Sequence, residues 1–291
     1  MLNMDQRIIN LYDEYTHKPL TREEFLRRLA QLTGSMTAAL AILPAIEVNQ
    51  AHAATVPVQD SRLRTEYISY TVNGTTMKAY IAIPAEGKKF PAVMVVHENR
   101  GLNPHIEDVT RRLALAGFIG FAPDALSVFG GTPADADQAR DLFTKLDAKI
   151  NLENFLQGFD YLKSRKECNG RFGVVGFCWG GALANQLAVH RQDLLAAVPF
   201  YGRQPEAADV PKIRASLMLH YAATDERINA GMEAYEQALK AAGKDYKQYV
   251  YEGTQHAFHN DTAPTRYNEA AAKLAWDRTL GLFREKLMKQ K

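Results

Sequence analysis

The rhythm of apolar and polar positions changes several times along the chain, and each change predicts an element. Tyr67, Ser69 and Thr71, then Thr75 to Ile83, have strand character on either side of Asn73-Gly74, which predicts a hairpin over Glu66–Ile83. Phe90 to His97 is an apolar run suited to a strand buried on both faces, and Ile106 to Ala116 has helical spacing. Phe118–Phe121, Phe172–Gly176, Ala196–Tyr201, Ser216–Tyr221 and Tyr246–Glu252 read as further strands. Between and after them, Ala134–Leu146, Leu152–Ser164, Ala182–Ala188, Gly231–Ala242 and Ala270–Leu287 read as helices. Strand and helix alternating after an opening hairpin predict an α/β fold with a mostly parallel central sheet and helices on both faces. In such sheets, sites form in the loops beyond the carboxyl ends of the strands.

The first sixty residues have a different pattern, so the chain divides into residues 1–60, an N-terminal helical extension, and 61–291, a catalytic body. Asp5–Tyr15 and Arg22–Leu32 are helical in spacing, and Thr21 with Glu24 predicts a capping box. Gly34 to Val48 is small and apolar, interrupted by Pro44, and Ala51-His52-Ala53 has the form of a signal-peptidase site. Thr21-Arg22-Glu23-Glu24-Phe25-Leu26-Arg27 resembles a twin-arginine export motif with its second arginine replaced by Glu23. The first 34 residues carry five basic and five acidic side chains, where an export signal requires positive charge. The expectation is therefore a retained extension, packed on the body or on a second copy in a homo-oligomer, in a cytoplasmic protein; the degenerate motif is what speaks for periplasmic export.

Composition narrows the function. With 46% hydrophobic residues and a formal net charge of +2 over 291 residues, the chain has a sizeable core and no field suited to nucleic acid or an anionic membrane. A small-molecule substrate is expected instead. The two cysteines, Cys168 and Cys178, lie ten residues apart and read as reduced thiols, not a disulfide framework.

Candidate chemistry begins at Gly176-Phe177-Cys178-Trp179-Gly180-Gly181, where a strand passes directly into a helix. This is the form of a nucleophile elbow with cysteine at its tip. A buried cysteine packing a strand on a helix would have the same pattern, and the pentapeptide by itself does not choose. Unpaired N–H groups at the helix start favour a thiolate and a developing oxyanion. A cysteine nucleophile also needs a base, and the base an orienting acid. Asp225 follows the strand Ser216–Tyr221, and His256 follows the strand beginning at Tyr246, in the order nucleophile, acid, histidine. Asp225 could otherwise cap a helix, Glu226 or Asp193 could compete as the acid, and His256 could be a solvated loop histidine. Three elements in the required order and loop positions favour Cys178, Asp225 and His256. Glu98, just past the strand ending at His97, is placed to meet the thiol and raise its pKa or accept its proton; a salt bridge to Arg100 is the alternative. The N–H groups of Asn99 and Trp179 are the candidate oxyanion donors. No metal is expected, since His97-Glu98 lacks the second histidine of His-Glu-x-x-His, and His256 with His259 has no accompanying cluster.

With these residues assembled, the chain from about Glu66 onward resembles the dienelactone hydrolase (carboxymethylenebutenolidase) family of the α/β-hydrolase fold. The resemblance rests on Val96-His97-Glu98-Asn99-Arg100-Gly101-Leu102, Ala122-Pro123-Asp124, the elbow, Asp225 and His256-Ala257-Phe258. It implies hydrolysis of an enol-lactone or related ester through thiolate attack and an acyl-enzyme, with no cofactor. It implies further that Glu98 governs the charge state of the nucleophile. The family's type members hold the substrate carboxylate with arginines, where this chain has Ser127 and Val128 after Asp124, and His259 and Asn260 after Phe258. Arg203 is the candidate substitute anchor, with a solvated loop arginine as the equal alternative, and Tyr201 and His259 are further candidate substrate-binding residues. Two other readings compete: a binding or thiol redox-sensing protein of the same fold, and an interaction module centred on the N-terminal helices.

Overall fold

The computed structural model describes residues 4–18, 20–47 and 55–288. The Ala51-His52-Ala53 segment lies outside the described residues. Eight strands form one sheet in the order β1-β2-β4-β3-β5-β6-β7-β8. β1 (Leu63–Val72) and β2 (Thr75–Pro84) form the predicted hairpin, and β2 also pairs antiparallel with β4 (Ile119–Pro123). Every other pairing is parallel, through β3 (Phe90–Val96), β5 (Cys168–Phe177), β6 (Leu194–Phe200), β7 (Ser216–Thr224) and β8 (Tyr246–Gln255).

Strand alternation sends successive side chains to opposite faces, each covered by helices. Met94, Val96 and Val174 face α6 (Ala148–Ser164), α7 (Trp179–His190) and α9 (Met232–Ala241), contacting Phe155, Phe159, Leu187 and Leu239. Val93, Val95 and Val175 face α4 (Pro104–Leu115) and α10 (Glu269–Phe283), with Val109, Leu113, Ala275 and Phe283. The predicted helix over Ala134–Leu146 is shorter, α5 (Ala136–Phe143), capped by Asp135. A one-turn helix, α8 (Glu226–Asn229), and a 3-10 turn at Ala125–Phe129 were not predicted; both are too short to carry a periodicity.

The N-terminal region folds as α1 (Gln6–His17), α2 (Arg22–Thr33) and α3 (Met36–Ile46). Their apolar faces form a cluster of their own, including Ile8, Tyr15, Phe25, Leu29 and Leu43. Pro44 does not interrupt α3 as expected: it sits in the last turn, where one lost N–H donor leaves the preceding ladder intact. The capping box at α2 is half formed. Thr21 accepts from the Glu24 N–H at 3.2 Å, while the Glu24 carboxylate turns to Arg27 and Arg28 at 2.7 and 2.6 Å. These helices lie against their own chain. Arg22 pairs with Asp137 at 2.7 Å, Arg140 donates to the Tyr15 carbonyl at 3.1 Å and covers its ring, and Asn99 donates to the Thr16 carbonyl at 2.5 Å. Among the described residues no single helix is long and apolar enough to cross a membrane; α2 and α3 reach that only as a pair bent by 107°.

Candidate active site

β5 ends at Phe177 and α7 begins at Trp179, so Cys178 alone makes the turn. Its backbone sits at φ 56°, ψ −114°, a conformation side-chain-bearing residues rarely adopt, and its N–H donates to the Phe200 carbonyl at 3.0 Å. The glycines around it follow from packing. A Cβ on Gly176 would lie 2.0 Å from the Gly180 oxygen, and one on Gly181 would lie 2.5 Å from the Phe200 oxygen.

Asp225 reaches the site from the end of β7. One of its oxygens caps α8 through the Ile228 N–H at 3.4 Å, and the other holds Nδ1 of His256 at 2.5 Å, so it serves as helix cap and imidazole partner together. Asp193, the rival acid, pairs with Arg191 on the surface. His256 is buried, and its Nε2 has no hydrogen-bond partner among the described residues. Cys178 is 7% exposed.

The structure adds a group that no sequence pattern indicated. His17, the last residue of α1, places Nε2 3.0 Å from the Cys178 Sγ, and its ring meets that of His256 edge-on at 4.7 Å. Its Nδ1 is held by the Asp13 backbone carbonyl at 2.9 Å, and an Asp13 carboxylate oxygen lies 3.2 Å away in an ion-pair contact without a hydrogen bond. Two histidines, each backed by an aspartate, therefore flank one thiol. Burial by itself would push the Cys178 thiol up, but the positive charges of His17 and His256 outweigh it and bring the pKa down from 9.0 to about 6. Burial likewise opposes charge on His256, and the thiolate together with Asp225 overcomes it, raising the imidazole to about 10. His17 is raised for the same reasons, against burial, by Cys178 and Asp13. The two imidazoles beside the sulfur thus favour the thiolate form of Cys178, and the thiolate in turn favours protonation of both rings.

Glu98 lines a small cavity with Cys178 and His256, but its hydrogen-bond partners are the Asn260 amide at 2.6 Å and the Tyr201 hydroxyl at 3.4 Å. The position beside the thiol expected for Glu98 is occupied by His17. Arg100, the expected alternative partner of Glu98, pairs with Asp137 at 3.1 Å. Asn260, which by position stands where the family's type members have an arginine, holds Glu98 across 162 residues of sequence. His97 steadies the same loop: its Nδ1 donates to the Glu98 carbonyl at 2.7 Å while Nε2 accepts from the Ala125 N–H at 3.1 Å. Burial keeps that imidazole neutral by lowering its pKa, which the two bonds require. The backbone N–H groups of Asn99 and Trp179 have no hydrogen-bond partner among the described residues.

A cavity of about 960 Å³ opens over Cys178, lined by His17, Lys18, Asn99, Trp179, Arg203 and Arg227 among others. Arg203 is exposed at its edge, and its guanidinium has no ion-pair partner among the described residues. The other two expected pocket residues sit deeper. Tyr201, at φ 37°, is fully buried with its ring 5.0 Å from that of His256, and so backs the site without lining the cavity. His259 is stacked on Phe177 at 5.0 Å and packed against Phe200 and Trp276, in the core beneath the strand ends. Ser127 is also structural, its hydroxyl donating to the Asp124 carbonyl and accepting from the Lys78 N–H at 2.9 Å.

A mostly parallel sheet flanked by helices, with a strained cysteine between β5 and α7 and an Asp–His pair on the loops after β7 and β8, defines an α/β-hydrolase architecture. The sequence profile of the dienelactone hydrolase family matches residues 77–287, and the chain belongs to that family. It is 32% identical over 246 residues to a protein of Escherichia coli K12 named "Putative carboxymethylenebutenolidase", covering 79% of this chain and 90% of that one. A protein of the same name from Salmonella typhi is 34% identical over 240 residues, covering 77% and 88%. The crystal structure of a "Putative Dienelactone Hydrolase" from Klebsiella pneumoniae superposes with a TM-score of 0.71 at 29% identity, over 77% of this chain and 99% of that one. The protein is a carboxylic ester or lactone hydrolase of this family.

Proposed function

We propose that the chain hydrolyses a small ester or lactone with Cys178 as nucleophile, His256 as general base and acid, and Asp225 orienting the imidazole. The observation that carries this reading is the buried Asp225–His256 pair at 2.5 Å, with its free Nε2 turned toward a cysteine whose backbone is strained at φ 56°. The thiolate attacks the acyl carbon, and the carbonyl electrons move onto oxygen, where the N–H groups of Asn99 and Trp179 are placed to receive the charge. Collapse expels the alkoxide, which takes the proton from His256 Nε2; in a lactone that alcohol stays tethered to the acyl group. Water then gives a proton to His256 and attacks the thioester, releasing the acid and restoring the thiolate. Arg203 is the proposed anchor for a negatively charged portion of the substrate, supported by its place at the mouth of the cavity. Residues 61–291 carry this chemistry, and the helices before residue 61 are an extension laid over it.

The test is hydrolysis of activated aryl esters and a lactone panel by the parent, Cys178→Ala and His256→Ala. Each substitution is expected to remove turnover while leaving the thermal unfolding transition in place. Parental rates in either variant would refute the assignment. A redox-sensing protein of the same fold would instead show no turnover in the parent.

A further inference from the structure

The α1 helix brings to the thiol a second imidazole that the proposed hydrolysis does not require. A ring nitrogen of His17, the Sγ of Cys178 and a ring nitrogen of His256 all lie within 4.8 Å of one another. In each histidine Nδ1 is already committed, to the Asp13 backbone carbonyl with its carboxylate 3.2 Å away in His17, and to the Asp225 carboxylate in His256. That fixes the tautomer and ring plane and presents Nε2 as the lone-pair donor, which is the outer-shell arrangement of metal-ligating histidines. His256 Nε2 is buried without a hydrogen-bond partner among the described residues. Beside the three donors lies a space of about 20 Å³, lined by His17, Glu98, Cys178, His256 and Arg266, room for about one small occupant.

We propose that His17, Cys178 and His256 form a divalent-metal site of zinc type, and that occupancy withdraws the thiolate from hydrolysis. The second half of this proposal rests on the hydrolytic reading; the first does not. Tetrahedral zinc, with bonds of about 2.3 Å to sulfur and about 2.0 Å to nitrogen, sets sulfur and nitrogen about 3.5 Å apart. The His17–Cys178 separation of 3.0 Å has to open slightly, and the donors, all within 4.8 Å of one another, have to settle to that spacing around the ion. One thiolate with two imidazoles is the donor set that zinc takes in preference to magnesium or calcium. Of the charged groups that line the space, the Glu98 carboxylate faces Arg266, while Arg100 is held by Asp137 at 3.1 Å; Asp13 and Asp225 stand behind the two histidines. The fourth position opens toward the large cavity, which both His17 and Cys178 line. The metal takes the sulfur electron pair that would otherwise attack an acyl carbon, and any proton on the ligand atoms is released on binding.

The test uses the full chain, dialysed against chelator and titrated with cobalt(II) alone, then with zinc in competition. A single ion per chain is expected, with a thiolate-to-cobalt charge-transfer band that Cys178→Ser abolishes and Cys168→Ala leaves in place. Asp13→Asn is expected to weaken binding by about 10- to 100-fold and His17→Ala by at least as much. No such band, a band retained in Cys178→Ser, or unchanged affinity in both the His17 and Asp13 variants would overturn the site. If His17→Ala does not fold, the Asp13→Asn titration decides. Zinc is expected to stop aryl-ester turnover by the parent at one ion per chain, and chelator to restore it; a rate indifferent to bound zinc would overturn the inhibitory half. A metal-free parent that hydrolyses nothing would refute the hydrolytic reading, while the cobalt titration would still decide the metal site.

Discussion

Gly180→Ala probes the close approach on which the elbow depends. A Cβ at Gly180 would lie 2.3 Å from the Val96 oxygen, 2.5 Å from the His97 oxygen and 2.7 Å from the Val96 carbonyl carbon. All three are backbone atoms, so no rotamer change relieves the contact. Ordinary contact begins near 3.4 Å, so the start of α7 and the end of β3 must separate by roughly 1 Å. Overpacking of this kind costs about 1–3 kcal/mol, and backbone neighbours place it at the upper end. At ~2–4 °C per kcal/mol for a large domain, Tm should fall by about 6–12 °C. The separation also moves Cys178 relative to the Glu98-Asn99 loop, and a misplacement of about 1 Å is expected to lower aryl-ester kcat/KM on the order of 100-fold. Gly281→Ala is the control: it lies in α10 with nothing within 4 Å of the added methyl, and should be stabilised by about 0.5–1 kcal/mol. The assay is a thermal melt and an initial-rate measurement on all three proteins. A Gly180→Ala protein that melts within about 1 °C of the parent, with parental turnover, would refute the packing argument.

Two further predictions concern the thiol and the buried glutamate. In chelator, the rate of Cys178 alkylation by iodoacetamide should rise with pH through a midpoint near 6 and then level off, because the thiolate is the reacting form and its pKa is lowered to about 6; a midpoint near 9 would show that His17 and His256 do not stabilise the thiolate. Asn260→Leu leaves the buried Glu98 carboxylate without its 2.6 Å donor and should lower stability by about 1–3 kcal/mol or more, read from the urea midpoint at constant slope; adding Glu98→Leu should recover much of that loss, and a double variant as unstable as the sum would speak against the pairing.

The local signals in the chain carried most of the fold. Asn73-Gly74 marked the hairpin, the continuous apolar run of β3 marked a strand covered on both faces, and Gly-x-Cys-x-Gly marked the one-residue turn between β5 and α7. These features are encoded within a few neighbouring residues, so period and spacing reveal them. Asp225 and His256 were legible for a related reason: both stand in loops after strands, where a parallel sheet gathers its loops at one edge.

What the sequence could not supply were contacts between distant elements. His17 and Cys178 are 161 residues apart, as Glu98 and Asn260 are 162 apart, and no periodicity links such pairs. His17 gave no signal beyond being one histidine near the end of an amphipathic helix. His259 stood three residues after His256 and Tyr201 two before Arg203, yet both side chains pack in the interior, against Phe177 and beside the His256 ring. The sequence by itself determined the layered sheet, the elbow and the order of its three candidate groups. Only the tertiary structure decided what surrounds the thiol, because docking α1 onto the loop edge of the sheet exchanges the water around Cys178 for the imidazole of His17.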